Sequence, residues 1–239
     1  MPHPPTYTLY YFHDPMCSWC WGFRPTWTLL QQNLPPTVEV KHILGGLAPD
    51  NDAPMPQALR LVIQNTWQRI HKELGTEFNF NFWSQNTPRR STYPACRAVI
   101  AASQQGKQQE MISAIQAAYY LRALNPSDAE VLQLLAKEIT LNESEFLQSM
   151  LSKSTDNLLK KQISHAKCWA VPGYPSLVLK MNNPSEREAL NTGLSLSNLA
   201  HIPIDYTQHQ KMQTQIIRAM EHLVQRPKTA RLNNSKLDK

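Results

Sequence analysis

The sequence predicts an α/β protein in which a helical block separates a βαβ unit from a final ββα segment. Strand and helix patterns alternate through roughly the first fifty residues. Between residues 56 and 167, apolar side chains recur at helical spacing with almost no strand signal. Strand character then returns at residues 176–181, ahead of a final amphipathic helix. The two ends of the chain are therefore expected to form one sheet-containing unit, with the helical block between them.

The first unit is predicted from local composition. Residues 6–12 are β-branched and aromatic, as in a strand. Residues 20–34 then carry apolar side chains at helical spacing until Pro35 and Pro36 end the helix. Residues 38–44 alternate as a second strand, and two glycines turn the chain after it. These features indicate strand, helix, strand.

The central block is expected to be helical throughout. Ser127 and Glu130 have the spacing of a capping box, and Asn142 with Glu145 forms a weaker one. Residues 76–91 are an aromatic-rich connection that we expect to pack over the junction between the two parts of the protein. The helices are predicted at residues 57–74, 92–105, 107–123, 127–139, 143–151 and 155–166.

The last segment is predicted to complete the sheet. Residues 176–181 form a strand, and residues 187–192 are a candidate for a second one. A closing helix over about 206–225 has an apolar face. That face consists of Met212, Ile216, Met220 and Leu223.

Charge and composition exclude several classes of function. The formal net charge is +6, and residues 226–239 carry +4 of it, so the basic character belongs to a short polar tail that we expect to be disordered. That tail has no interleaved aromatic residues, which argues against binding nucleic acid. No run of 18 apolar residues predicts a membrane span, and residues 1–16 do not resemble a secretory signal. We therefore expect a cytoplasmic protein without nucleic-acid or membrane partners.

The residues that carry chemistry are Cys17 and Cys20, separated by Ser18 and Trp19. They follow a predicted strand and open a predicted helix, where unpaired N–H groups and the helix dipole favour the thiolate form of Cys17. Two thiols at this spacing can close a reversible disulfide. We expect Cys17 to be the exposed attacking thiolate and Cys20 to be the partly buried resolving thiol, with exchange through a mixed disulfide.

Three alternatives to redox chemistry at the cysteine pair remain open. A zinc site would need Cys96, Cys168 or distant histidines to converge, because no second cysteine or histidine pair lies nearby in the sequence. A structural disulfide is disfavoured in a reducing compartment. An accidental pair on a core helix does not account for the strand–turn–helix context. No metal and no cofactor are expected.

Several segments resemble the DsbA-like thioredoxin-fold oxidoreductases, and most closely the cytoplasmic FrnE-like branch. The main match is DPMCSWCWGF at residues 14–23. Further matches are LGGL at 44–47, PACRA at 94–98 and GYPSL at 173–177, and Pro25 corresponds to the proline in the active-site helix of thioredoxins. The motifs occur in the expected order, and the resemblance covers roughly residues 6–200.

The resemblance implies an α/β thioredoxin fold with a large all-helical insertion. Residues 1–55 and 168–225 would form the thioredoxin-like domain, and residues 56–167 the insertion. It also implies that Pro175 is a cis-proline facing the dithiol, where the backbone of Tyr174 pairs with an extended substrate peptide.

The resemblance further implies a thiol–disulfide oxidoreductase or isomerase. Its partners would be protein or peptide thiols and disulfides, with glutathione or a thioredoxin-type protein recycling the site. Ser18 and Trp19 replace the Pro-His of periplasmic DsbA, which indicates an intermediate redox potential. A glutathione-linked transferase or isomerase of the kappa type and a non-catalytic client-binding module remain alternatives.

Three further side chains are weaker candidates. Cys96 is expected to be a buried small hydrophobic residue, and the role of Cys168 is left open. Asp14 either accepts a proton from Cys20 or shapes the turn through its Asp-Pro sequence.

Overall fold

A computed structural model describes residues 6–182 and 198–225. Its centre is a four-stranded sheet in the order β2-β1-β3-β4. Strand β1 pairs in parallel with β2 and antiparallel with β3, and β4 pairs antiparallel with β3. The strands are β1 (Thr6–His13), β2 (Val38–Leu44), β3 (Ser176–Asn182) and β4 (Leu199–Ile202).

Helices connect and cover this sheet. Helix α1 (Ser18–Gln32) links the two parallel strands, and α9 (His209–Gln225) follows β4 and packs against α1. The other helices of the described residues all lie between β2 and β3, which makes the insertion helical. They are α2 (Gln57–Leu74), α3 (Phe82–Gln85), α4 (Tyr93–Ser103), α5 (Gln108–Tyr120), α6 (Ala129–Glu138), α7 (Glu143–Met150) and α8 (Lys153–Cys168).

The core has parts on both faces of the sheet and within the insertion. On one face, inward side chains of β1 pack with apolar residues of α1 and α9. On the other, Phe12 and Val178 pack against Trp169, which directly follows α8. The insertion has its own apolar cluster. Met16 and Leu44 belong to this cluster, although they lie in the framework, meaning the sheet together with α1 and α9. The start of α1 is therefore held between the sheet and the insertion.

The predicted fold class is confirmed: a thioredoxin fold with a large helical insertion. Strands β1, β2 and β3 lie within one residue of their predicted bounds. Strand β4 was not predicted, and the proposed strand at 187–192 lies outside the described residues. In the 76–91 connection, Phe82 and Trp83 form part of the short helix α3 and are buried in the insertion core.

The starts of α6 and α9 fall two and three residues later than predicted, for reasons of local hydrogen bonding. Helix α6 begins after Asp128, and the hydroxyl of Ser127 donates to the Ser91 carbonyl instead of capping the helix. Helix α9 begins three residues late because Asp205 accepts the backbone N–H groups of the two residues 207 and 208 in a turn. The predicted cap at Asn142 is present: its side chain accepts the N–H of Glu145. None of the described helices is long and apolar enough to cross a membrane.

Candidate active site

Cys17 is the N-cap residue of α1. Its backbone is extended, and its Sγ accepts a hydrogen bond from the backbone N–H of Cys20 at 3.4 Å. The β1–α1 turn is closed by the Cys17 N–H, which donates to the Asp14 carbonyl at 3.0 Å. The helix thus begins at the first thiol, where unpaired N–H groups stabilise negative charge.

Both active-site thiols are enclosed. The side chain of Cys20 is 1% exposed, as expected for a resolving thiol, but Cys17 is only 6% exposed. The expectation of an exposed Cys17 is therefore wrong. The physical reason is the cis-proline loop, since the Cys17 thiol lies 3.4 Å from the Tyr174 carbonyl and donates to it.

The Tyr174–Pro175 peptide bond is cis, as predicted. The Tyr174 hydroxyl donates to the Gly45 carbonyl at 3.0 Å, so its ring lies across the loop after β2. A Cβ atom at Gly45 would lie 2.0 Å from that ring, and only glycine leaves room for this approach. Two segments more than a hundred residues apart therefore meet beside the Cys17 sulfur.

Ser18 and Trp19 connect the dithiol to the surrounding helices. The Ser18 hydroxyl accepts from the indole N–H of the buried Trp67 at 2.9 Å. The half-buried Trp19 ring lies 5.1 Å from the ring of Tyr206, and the Arg69 guanidinium lies 5.2 Å from its centre. Trp19, with Arg69 and Tyr206 beside it, thus forms the rim of the site. No local motif marks Trp67, Arg69 or Tyr206, since each comes from a distant segment.

Asp14 is fully buried beside the dithiol turn. One carboxylate oxygen accepts from the Met16 N–H at 2.8 Å. The other accepts from the Leu47 N–H at 2.8 Å and the Thr92 hydroxyl at 2.7 Å, with the Cys96 thiol at 3.6 Å. Burial raises the pKa of Asp14, and these hydrogen bonds oppose that effect. Both oxygens are engaged by other donors, which favours the turn role over proton transfer from Cys20.

The electrostatics of Cys20 keep its sulfur protonated at neutral pH. Burial raises the pKa of Cys20 well above its ordinary value, and its hydrogen bond with Cys17 and the charges of Cys17 and Asp14 raise the pKa further. A hydrogen bond with the Asp14 backbone acts in the opposite direction. Cys20 must therefore lose a proton before it can attack.

The other two cysteines do not join the dithiol. Cys96 is fully buried in α4, as expected, and its burial raises the pKa of its thiol well above the ordinary value. Cys168 is exposed at the end of α8. Over residues 6–182 and 198–225, no three side chains of His, Cys, Asp or Glu cluster closely enough to hold a metal ion.

Comparison with known proteins agrees with this geometry. A family model described as thioredoxin matches residues 10–204. The chain belongs to the thioredoxin family. Among solved structures, it is similar to a candidate protein disulfide isomerase from Nitrosomonas europaea, with 25% identity and a TM-score of 0.74. The match covers 91% of this chain and 98% of that one.

Two further relatives extend the comparison within the thioredoxin family. The cytosolic disulfide reductase DsbM from Pseudomonas aeruginosa, solved with GSH, shares the fold at 19% identity and a TM-score of 0.65, over 90% of this chain and 99% of DsbM. The ClpXP adapter protein SpxH of Halalkalibacterium halodurans is 24% identical over 77% of this chain. The matched region spans 62% of SpxH. The resemblance to DsbA-like oxidoreductases is confirmed, while the FrnE-like branch stays a prediction.

Proposed function

We propose that this protein is a thiol–disulfide oxidoreductase that exchanges disulfides with protein or peptide substrates through Cys17 and Cys20. The observation that carries this proposal is the placement of the Cys17 sulfur. It lies at the start of α1, accepts the Cys20 N–H and touches the Tyr174 carbonyl before the cis-proline. A nucleophile, a resolving thiol and a stretch of loop backbone thus meet at one point.

The exchange proceeds in two steps. The Cys17 thiolate attacks one sulfur of a client disulfide, forming the bond between Cys17 and the client and releasing the other client sulfur as a thiolate. Cys20 then attacks the Cys17 sulfur, which closes the Cys17–Cys20 disulfide and releases the second client thiol. The client gains two electrons, and the protein dithiol loses them.

Recognition of the client is assigned to the cis-proline loop and the rim. An extended client peptide pairs with the backbone of Tyr174 beside Pro175, as in strand addition to a sheet. The client displaces the Cys17 thiol from the Tyr174 carbonyl when it binds. Ser18 and Trp19 tune the dithiol without a charged side chain, since Trp19 offers an apolar surface and the Ser18 hydroxyl is held by Trp67.

We also propose that the protein acts in the cytoplasm and that glutathione or a thioredoxin-type protein recycles its dithiol. The similarity to DsbM, a cytosolic reductase solved with GSH, supports both statements.

Reduction of insulin disulfides tests the proposed activity. The wild-type protein should accelerate insulin reduction in the presence of a thiol reductant, and Cys17→Ser should lower that rate at least about a hundredfold, because it removes the nucleophile. Cys168→Ser is the matched control, since it removes an exposed thiol far along the chain and should leave the rate unchanged. Equal rates for wild type and Cys17→Ser would refute the proposal.

A client-binding module is the second candidate, favoured by the similarity to an adapter protein. In that case the rim around Trp19 would bind a partner, and Cys17 and Cys20 would not exchange disulfides with it. Cys17→Ser would then bind that partner as well as the wild type does, whereas an oxidoreductase would lose its exchange activity in this variant.

The kappa-type alternative differs at Cys20. A glutathione transferase that uses Cys17 alone would keep its activity toward a small electrophile in Cys20→Ala.

A further inference from the structure

A cavity of about 660 Å³ lies between α1, the end of α2 and the segment before α9. Trp21, Arg24 and Pro25 line it from α1. Helix α2 ends at the cavity with Leu74, and the left-handed conformation of Gly75 then turns the chain. The volume is that of a site for a small organic ligand. The cavity is therefore large enough to hold part of a small peptide.

The cavity is continuous with the rim of the dithiol through Tyr206. The Tyr206 ring lines the cavity and lies 5.1 Å from the ring of Trp19. Cys17, Trp21 and Arg24 have the i, i+4, i+7 spacing that places residues on one side of a helix. From Cys17 to Arg24 the helix rises about 10 Å, which is about the length of an extended tripeptide. A small peptide bound at Arg24 can therefore reach the Cys17 sulfur.

Arg24 is a half-buried cation that lacks an acidic partner. Over residues 6–182 and 198–225, Arg24 takes part in no ion pair. One of its N–H groups donates to the Ser113 hydroxyl at 3.4 Å. A guanidinium has five N–H donors, so donors remain for a ligand. Burial lowers the pKa of Arg24, the direction expected for a cation without a carboxylate beside it.

Trp21 holds the guanidinium of Arg24 at the cavity wall. The guanidinium lies 5.4 Å from the centre of the Trp21 ring. That ring stacks on Tyr120 at 5.4 Å and donates its indole N–H to the Glu77 carbonyl at 2.9 Å. The side chain of Glu77 is exposed to solvent, where its charge is screened. Because Trp21 is fixed on two sides, Arg24 is positioned before a ligand binds.

We propose that this cavity is a carboxylate-binding subsite, in which Arg24 binds a carboxylate of a small acidic peptide disulfide while a sulfur of that peptide exchanges at Cys17. This proposal rests on the proposed exchange function and names a substrate class for it. A planar guanidinium matches a carboxylate through two parallel hydrogen bonds. Glutathione disulfide, whose peptide halves each carry two carboxylates, is the probe for this class.

The exchange balances with the peptide disulfide as the oxidant. The Cys17 thiolate attacks one peptide sulfur, forms the bond between Cys17 and that half, and releases the other half as a thiolate. Cys20 gives up its proton and attacks the Cys17 sulfur, which closes the protein disulfide and releases the second half. The released thiolates take up the protons of the two protein thiols. The peptide disulfide gains two electrons, and the dithiol loses them.

Single-turnover oxidation of the reduced protein, in a Cys168→Ser background, tests the role of Arg24. Glutathione disulfide is compared with bis(2-hydroxyethyl) disulfide, which carries no charge. Arg24→Gln should lower the second-order rate constant for glutathione disulfide about tenfold or more, because the charge-assisted hydrogen bonds are lost. The rate constant for the neutral disulfide should stay within about twofold of wild type, because that reagent has no carboxylate for Arg24 to bind.

Arg122→Gln is the matched control for the loss of one positive charge. Arg122 follows Leu121 of the cavity wall, but Glu138 binds its guanidinium through two hydrogen bonds of 2.7 Å. Both rate constants should stay within about twofold of wild type in this variant, because the exposed pair acts weakly on its surroundings.

Three outcomes would contradict the proposal in different ways. Equal losses with both disulfides in Arg24→Gln, or no loss with glutathione disulfide, would overturn the role of Arg24. A loss of insulin reduction alone would place the bound carboxylate on protein clients and overturn the assignment to small peptides. Failure of the wild-type dithiol to react with either small disulfide would overturn the proposed exchange itself.

A second measurement needs neither a variant nor turnover. S-Methylglutathione has the carboxylates of glutathione but no reactive sulfur, and its binding is followed by tryptophan fluorescence. The wild-type protein should bind it about tenfold or more tightly than its dimethyl ester, because the ester cannot accept a charge-assisted hydrogen bond from Arg24. Binding should also weaken as salt is added. Equal affinity for the acid and the ester would overturn the subsite, whether or not the protein exchanges disulfides.

Discussion

At the scale of single residues, Asp14 shows how one buried carboxylate organises the site. It joins the dithiol turn to the loop after β2 through Leu47 and to the insertion through Thr92. Asp14→Asn keeps one acceptor oxygen but turns an amide NH2 group toward donors. We therefore expect the free energy of unfolding to fall by about 2–4 kcal/mol, measured by guanidinium denaturation. Asp50→Asn, which removes an exposed partner of Arg97, should cost less than about 1 kcal/mol. Equal losses would contradict this role of Asp14.

The same residues show what can be predicted from local sequence. The pair Cys17 and Cys20 was found because the motif is contiguous and a strand and a helix flank it. The partners of Asp14 were not found, because Leu47, Thr92 and Cys96 approach it only after the insertion has folded against the sheet. Enclosure of Cys17 was likewise missed, since the covering carbonyl belongs to Tyr174.

At the scale of elements, the loop after β2 and the cis-proline loop fit together around the Tyr174 ring. A methyl group at Gly45 would overlap that ring, whereas one at Gly173 meets no atom within 4 Å. Gly45→Ala should displace Tyr174 from the dithiol and slow insulin reduction about tenfold or more, while Gly173→Ala should stay within about twofold of wild type. Steady-state rates for the two variants measure this, and a Gly45→Ala rate as high as that of Gly173→Ala would contradict it.

Elements of seven or more residues with a periodic pattern were predicted well, whereas the four-residue elements α3 and β4 were not. The helices of the insertion show apolar repeats over many residues, which fixes their presence and approximate bounds. Strand β4 spans four residues, too few for alternation to be recognised, and it becomes a strand only by pairing with β3. The late start of α9 depends on one side chain, Asp205, that competes with the helix for backbone N–H groups.

At the scale of the whole molecule, the site is assembled from the framework and the insertion together. The β1–α1 turn supplies both thiols, the segment before β3 supplies Tyr174, and α2 supplies the indole that binds Ser18. Met16 and Leu44 bury their side chains in the insertion core, so the insertion supports the start of α1. Sequence patterns predicted the order of these parts along the chain. Their contacts at the dithiol depend on tertiary packing and could not be predicted from local patterns.

The central claim is that Cys17 attacks and Cys20 resolves, and trapping of mixed disulfides tests it most directly. Reduced Cys20→Ala and Cys17→Ala proteins, both with Cys168→Ser, are mixed with insulin and separated on a non-reducing gel. Cys20→Ala should accumulate covalent complexes that disappear with excess reductant, because the attacking thiol remains and the resolving thiol is gone. Cys17→Ala should trap almost nothing, since Cys20 is 1% exposed and burial raises the pKa of its thiol. Equal trapping by the two variants would contradict the assignment of roles.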